Sequence, residues 1–544
     1  MTYPDLHDAI GRHALIRARE GLRITQTEQS GKPGRWVFDF RALMLQPHWL
    51  DRYAEIFFER YGDRYPFQVC GMETAGIALV AAIVMKSVQR GTPVNGFYLR
   101  KSRKRYNLMK QVEGVVTDDP VIVVDDLVNF GTTLGKQFAI LSELGATVTD
   151  AFCLLRFRDE AAYTFAADRG IRLLALYSLE DFSIPLMSAS APEVPRDSFD
   201  VVWRFQAPDP SLHLVVHKSS PVLDDTRVFF GTDAGVFYAL RQDTGAVVWQ
   251  HRTVPNAMGK GILSSPALHG TTVYFGAYDG TLYALDTGTG KPRWTYTDAD
   301  WIGSSPSLAP DLGLLFIGLE FGLWRKHGGI AALDLETGKE VWKASHPELT
   351  HGSPLYIKEE HMVVIGSNDH AVYAHDAKTG ALLWRYLTDG DIKMQPAYDA
   401  KRRLVLVPSM DGKLYALAAK TGLPSGAFET GGGIYSTPLV DGDTAYVASL
   451  DKKLYAVDLD TFERRWAYET AGRIFSSPVR FENHIWVGSN DGRLYQLQEK
   501  DGTLAAFFQA TERIVTRIAY NPSSRAIFMG TVANEMYCLR RRSH

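Results

Sequence analysis

The chain has little cysteine. Its 544 residues hold three, Cys70, Cys153 and Cys538, far apart and with no Cys-x-x-Cys pair, which excludes a disulfide framework and a cysteine-based zinc site. It also lacks a charge bias. The 59 Lys and Arg nearly balance the 62 Asp and Glu, for a net charge of -3, so attraction of the whole molecule to nucleic acid or anionic lipid is excluded and such a partner would need a local patch. Long apolar runs are missing too. The longest, residues 76–85 (GIALVAAIVM), is too short to cross a bilayer and reads as a buried helix. Residues 1–20 mix Asp, His and Arg among the apolar positions, with no apolar core of signal-peptide length. The expectation is a cytoplasmic protein with no membrane partner. What is present is ordinary globular composition, 45% hydrophobic and 22% charged, over a length that calls for at least two domains.

The texture changes near residue 190. Before it, apolar runs at 67–71, 121–124 and 151–155 alternate with helical patterns at 77–89 and 134–144, predicting βαβ units and a parallel sheet. Residues 187–196 (MSASAPEVPR) read as a linker. After it, one phrase recurs: an apolar pair, a small residue, a turn, Leu-Tyr-Ala-Leu-Asp, Thr-Gly, Trp. The small position falls at Gly231, Gly276, Gly318, Gly366, Pro408, Ala448, Gly488 and Gly530, a period of about 40 to 48 residues that suits four-stranded propeller blades. Asp279-Gly280, Asp411-Gly412 and Asp491-Gly492 are hairpin turns. The tryptophans that follow in five of the repeats (Trp249, Trp294, Trp342, Trp384 and Trp466) are apolar plates suited to cementing neighbouring blades. The last repeat stops without its Trp strand, while an orphan Trp strand, residues 201–206 (VVWRFQ), precedes the first. That strand is expected to complete the eighth blade and remove the open edges. The repeat resembles the pyrroloquinoline-quinone-type propeller repeat. The expected domains are 1–186, a linker at 187–200, and an eight-bladed propeller at 201–544.

The sharpest chemical signal is residues 121–134, VIVVDDLVNFGTTL. A buried strand leads to Asp125 and Asp126, and a loop of Asn129, Phe130, Gly131, Thr132 and Thr133 opens a helix. Ligands of open α/β sheets bind at the carboxyl ends of strands. Backbone N–H groups at a helix start suit a phosphate, and the acid pair suits ribose hydroxyls with Mg²⁺ held nearby through its waters. This run resembles the phosphoribosyl-pyrophosphate motif of type I phosphoribosyltransferases, which implies a Rossmann-like α/β domain. Residues 71–76, with Glu73, Thr74, Ala75 and Gly76, resemble the pyrophosphate loop of the orotate branch. Residues 100–106 followed by 112–114 resemble its mobile basic loop, residues 30–31 through 38–41 its hood, and residues 179–182 its C-terminal end. The resemblance spans roughly residues 15–185. It implies phosphoribosyl pyrophosphate and Mg²⁺ as ligands, Lys101 and Lys104 facing pyrophosphate with Arg100, Arg103 and Arg105 beside them, and a homodimer in which the basic loop reaches the neighbouring site. Cations there offset the charge that builds on departing pyrophosphate.

Departures cluster in the acceptor half. Gln29 stands where the branch carries Lys, Asn129 where it carries Thr, and bulky Phe130 where it carries a small residue. The Arg expected to meet the orotate carboxylate is Arg158 or Arg156. The expectation is a transferase acting on a nitrogenous acceptor other than orotate, with the propeller binding a partner or substrate. The alternative is a sensor of phosphoribosyl pyrophosphate, or a scaffold, without transfer. Quinone-dependent dehydrogenation, suggested by the repeat alone, is not expected, and neither is the quinone cofactor: those enzymes are exported and many carry an adjacent cysteine pair. The propeller's histidines, His213, His217, His351, His361, His370 and His375, match no zinc spacing. Residues 321–329 (FGLWRKHGG) enlarge the third repeat's hairpin, an ordinary long loop with Trp324 on it.

Overall fold

The computed structural model of the chain describes residues 3–17, 24–25, 33–34, 36–100, 111–129, 131–187, 198–208, 219–255, 259–324 and 326–542. The chain forms two compact units, Met1–Asp197 with Gln509–Thr511, and Ser198–Phe508 with Glu512–His544.

The first unit is built on six strands: β1 (Gln68–Met72), β2 (Asn95–Leu99), β3 (Val112–Glu113), β4 (Val121–Val128), β5 (Val148–Arg156) and β6 (Arg172–Ser178). They lie in the order β6-β5-β4-β1-β2-β3. All neighbours are parallel except β2 and β3. Both faces are covered, as a parallel sheet requires. Val69, Ile122, Val124, Phe152 and Leu154 meet helices α1 (Pro47–Tyr61) and α2 (Ala75–Gln89) in one core. The alternate residues Cys70, Val121, Val123, Ala151 and Cys153 meet α3 (Thr132–Glu143) in a second. The predicted strands and helices are present with extended ends. β4 is the instructive one: it runs on through both aspartates to Val128, because β5 extends to Arg156 and pairs with it, Asp125 opposite Cys153 and Val128 opposite Arg156.

The second unit contains eight four-stranded antiparallel sheets. The first blade is Val222–Leu223, Arg227–Gly231, Val236–Arg241 and Val247–Arg252, and the rest follow in chain order. The eighth is completed from the other end of the unit, where Phe199–Gln206 pairs antiparallel with Glu535–Arg541. The orphan Trp strand therefore closes the ring, and no blade is left to expose an unpaired neighbour.

Where a blade carries a tryptophan on its outer strand, that residue joins it to the next. The indole N–H of Trp384 donates to Ala419 O at 2.7 Å. Those of Trp249, Trp342 and Trp466 donate likewise to Thr287, Ala377 and Glu499. The ring of Trp384 lies against the following Thr-Gly turn, where a Cβ on Gly422 (φ +70) would stand 2.6 Å from it. Glycine meets both demands, the left-handed backbone and the close plate. Trp203 of the closing strand repeats the contact on the first blade through Gln242 O. The fifth blade has Gly426 in the Trp position, and Phe462 fills the space.

Candidate functional site

The candidate site lies where β1 and β4 end side by side. Asp125 and Asp126 sit in the last half of β4, Asp125 buried and Asp126 half-buried like Leu127 after it. One oxygen of Asp125 accepts the Asp126 N–H at 3.0 Å, and one of Asp126 accepts the Leu127 N–H at 2.8 Å. Burial pushes the Asp126 carboxyl above the usual range. The hydrogen bond to Asp125, the backbone N–H groups and the charge of Arg41 pull the other way. Arg41 is fixed by Asp39 at 2.8 Å. This hood segment was noted in the sequence, yet nothing there signalled that its guanidinium charge would act on Asp126.

Beyond Val128 the chain turns through Asn129 to Gly131, which takes φ +73 just before the first turn of α3. A Cβ on Gly131 would stand 2.2 Å from the Phe165 ring. Thr132 opens the helix and Thr133 is exposed in its first turn, and a helix start of this kind offers backbone N–H groups that the helix itself does not use.

The segment after β1 approaches from the other side. The Glu73 N–H donates to Leu99 O at 2.9 Å, and Thr74 and Ala75 begin α2. Gly76 packs on the strand so closely that its Cβ would stand 2.8 Å from the Gly71 backbone. Arg100 bridges two acids at the end of β2, with one guanidinium nitrogen 3.3 Å from Glu113 and another 4.0 Å from Glu73. Glu113, not singled out from the sequence, thus orients a residue that was. Lys101, Arg103, Lys104, Arg105 and Phe130 lie outside the described residues, as do Gln29, Ser30 and Gly31.

On the acceptor side the two candidate arginines separate. Arg156 donates to Arg158 O at 2.6 Å. Arg158 is buried, 3% exposed, and its Nε donates to the Asn129 side-chain oxygen at 3.2 Å. Tyr163 braces the same corner, accepting the Arg158 N–H and donating to Val128 O, each at 3.1 Å. Burial lowers the Arg158 pKa.

Among the described residues no cluster of three or more His, Cys, Asp or Glu side chains could hold a metal. In the propeller, His351 pairs with Glu320, His370 with Asp391 and His375 with His346, while His213 and His217 are outside the described residues. No described helix is long and apolar enough to cross a membrane.

A family profile described as outer membrane protein assembly factor BamB matches residues 147–319, 326–425 and 424–533. Orotate phosphoribosyltransferase of Bradyrhizobium sp. strain BTAi1 is 30% identical over 173 residues, 31% of this chain and 93% of that one. The enzyme of the same name from Staphylothermus marinus is 31% identical over 171 residues, 31% of this chain and 77% of that one. Among solved structures, BamB from Moraxella catarrhalis superposes with a TM-score of 0.51 at 18% identity, covering 64% of this chain and 98% of the other. A europium-containing methanol dehydrogenase gives 0.53 at 14% identity, covering 63% and 93%. At these identities the structural likeness concerns the propeller fold alone.

Proposed function

Because the chain belongs to two families, the orotate phosphoribosyltransferases through its first third and the BamB propeller family through most of the rest, we propose that it transfers ribose 5-phosphate from phosphoribosyl pyrophosphate to a nitrogenous acceptor other than orotate. The observation that carries this reading is the end of β4, where Asp125 and Asp126 stand directly before a left-handed Gly131 and the opening of α3. The carboxylates accept hydrogen bonds from the ribose diol, and the amides from Gly131 onward take the 5′ phosphate. Glu73 to Gly76 face the pyrophosphate, with Arg100 aligned by Glu113 and the basic residues Lys101, Arg103, Lys104 and Arg105 offsetting its growing charge. The donor set fits Mg²⁺ held through its waters and mainly by substrate oxygens, since that ion keeps several waters and takes one or two carboxylates plus phosphates. When bound it supplies further positive charge to the leaving pyrophosphate.

The acceptor assignment rests on Asn129 and Arg158. The arginine that would meet a carboxylate is buried and tied to Asn129, so a carboxylated base would have to break that bond. Phe130 adds bulk to the same loop. The decisive experiment is Mg²⁺-dependent pyrophosphate release from phosphoribosyl pyrophosphate across a panel of bases and amines. Release with a non-carboxylated acceptor supports the reading, and robust orotidine monophosphate synthesis overturns the acceptor assignment. Uptake of phosphoribosyl pyrophosphate without release under any acceptor supports the second reading, a sensor, which the tied Arg158 favours.

A homodimer belongs to the same proposal. Helix α2 leaves Ile77, Ala81, Met85 and Val88 exposed along one side, Met85 at 68% and Val88 at 66%. A second copy is the occupant that would also bring a basic loop to each site, and light scattering reads the mass. We assign the propeller to binding a partner or substrate, and the protein to the cytoplasm.

A further inference from the structure

The first strands of neighbouring blades approach one another, while the fourth strands carry exposed side chains such as Val247 and Leu382. The first strands therefore line the propeller axis. Seven of the eight are entered through a proline, Pro221 in the first blade and Pro478 in the seventh, and the eighth has Ile518 there. This residue is buried in every blade, whereas the residues on either side of it are reached by water in most. Side chains alternate along a strand, so the residues before and after the proline face the axis in two layers.

The layer before the proline is a ring of donors. Its members are tied blade to blade by one bond, a backbone N–H given to the hydroxyl of the next: Ser220 to Ser265 at 3.0 Å, and Ser265 to Ser305, Ser305 to Ser353 and Thr437 to Ser477 at 2.9 Å. The Arg517 N–H joins the eighth blade to the first through Ser220 Oγ, also at 2.9 Å. A hydroxyl that accepts in this way keeps its own proton to give, and among the described residues none of these five gives it away.

Arg517 breaks the pattern. It stands where the other copies have Ser, Thr or Gln, and it is the one charged residue in either layer. Its guanidinium has no ion-pair or hydrogen-bond partner among the described residues. The residue is exposed, yet the protein around it desolvates the guanidinium enough to lower its pKa. Both hold for a cation that projects into a narrow passage open to water, and not for one on a convex surface. Two residues earlier in their own blades lie His351 and Lys393, but these charges are matched by Glu320 and Asp391. The layer after the proline has little polarity. Val222 and Leu439 are half-buried there, and the Ser307 hydroxyl is occupied by the Tyr356 N–H at 3.2 Å. A ligand completing this arrangement must bring acceptor oxygens, one negative charge and carbon for the apolar layer. A carboxylate offers two oxygens matched to the guanidinium fork and a single charge.

We propose that the axial passage of the propeller binds an aliphatic monocarboxylate, its oxygens received by Arg517 and by the flanking hydroxyls of Ser220 and Ser477, and its carbon chain laid against Val222 and Leu439. The site is independent of the transferase reading. Isothermal titration of the full chain with hexanoate, against n-hexanol, n-hexylammonium and inorganic phosphate, is the test. Saturable uptake of hexanoate, and not of the alcohol or the amine, is expected, with affinity reduced at least tenfold in Arg517→Ser, which restores the residue of the other copies. Ser477→Ala and Leu439→Asn each weaken it severalfold, and they keep the test open should the Arg517 variant fail to fold. Absence of saturable uptake, equal uptake of hexanol or hexylammonium, phosphate uptake that is as tight and equally lost in Arg517→Ser, or hexanoate binding that the folded variants leave unchanged overturns the proposal.

Discussion

The two units solve opposite problems with similar residues. In the propeller a polar turn, a plate and a small residue recur, and the indole N–H groups of Trp249, Trp342, Trp384 and Trp466 each bond to the next blade. The cost of ordering the chain is met many times over by the same contact, so no single copy is unique. In the first unit one strand end, seen once, carries the chemistry, and there the rules of a buried sheet are broken: two adjacent carboxylates continue a strand whose other members are Val, Ile and Leu. Stability is distributed by repetition, whereas chemistry is concentrated in one exception that its surroundings must tolerate.

That contrast can be broken in measurable ways. Replacing Asp125 and Asp126 together by alanine should lower pyrophosphate release by about 10³-fold while the propeller's unfolding transition stays in place. Trp384→Ala should do the reverse, destabilising the propeller by about 3–5 kcal/mol, read by denaturant titration, with release per folded molecule unchanged. Asn129→Thr frees the Arg158 guanidinium from its side-chain partner, and orotate turnover should rise roughly tenfold as the preferred acceptor loses ground.

Acid sharpens the comparison. His346 is buried against Tyr373, its rings 4.0 Å apart, and its Nε2 meets His375 at 3.3 Å. Burial first, then the charges of His375 and Arg385, lower its pKa to about 3. The unfolded chain takes up this proton near the ordinary value of about 6.5. Stability is therefore complete above that pH and is lost progressively as pH falls toward 3. The midpoint of the propeller's thermal transition should drop between pH 6.5 and 4, and His346→Gln should flatten that slope. The smallest change in stability is expected at Asp126. Burial raises its pKa, so the ionised acid burdens the folded state, and the burden lifts as pH falls through the folded value. Asp126→Asn should raise the first unit's Tm by roughly 2 °C and remove activity.

Much of this was legible in the residues. The eight-fold recurrence and the Asp-Asp run depend on neighbours in sequence, which periodicity reports directly, and the closing Trp strand was legible as the one piece missing from the last repeat. Strand β4 was read as stopping at Val124 because charged residues end an apolar pattern. It continues because β5 offers backbone partners as far as Arg156, a condition set by a segment more than twenty residues away in the chain. Sequence order alone thus determined which local pieces form, how often they repeat and which loop resembles a phosphate cradle. Only the tertiary structure decided that Asn129 ties Arg158, that Glu113 aligns Arg100, and that His351 pairs with the buried Glu320. Those pairings join residues far apart in the chain, and their energies depend on burial and direction, which no linear pattern records.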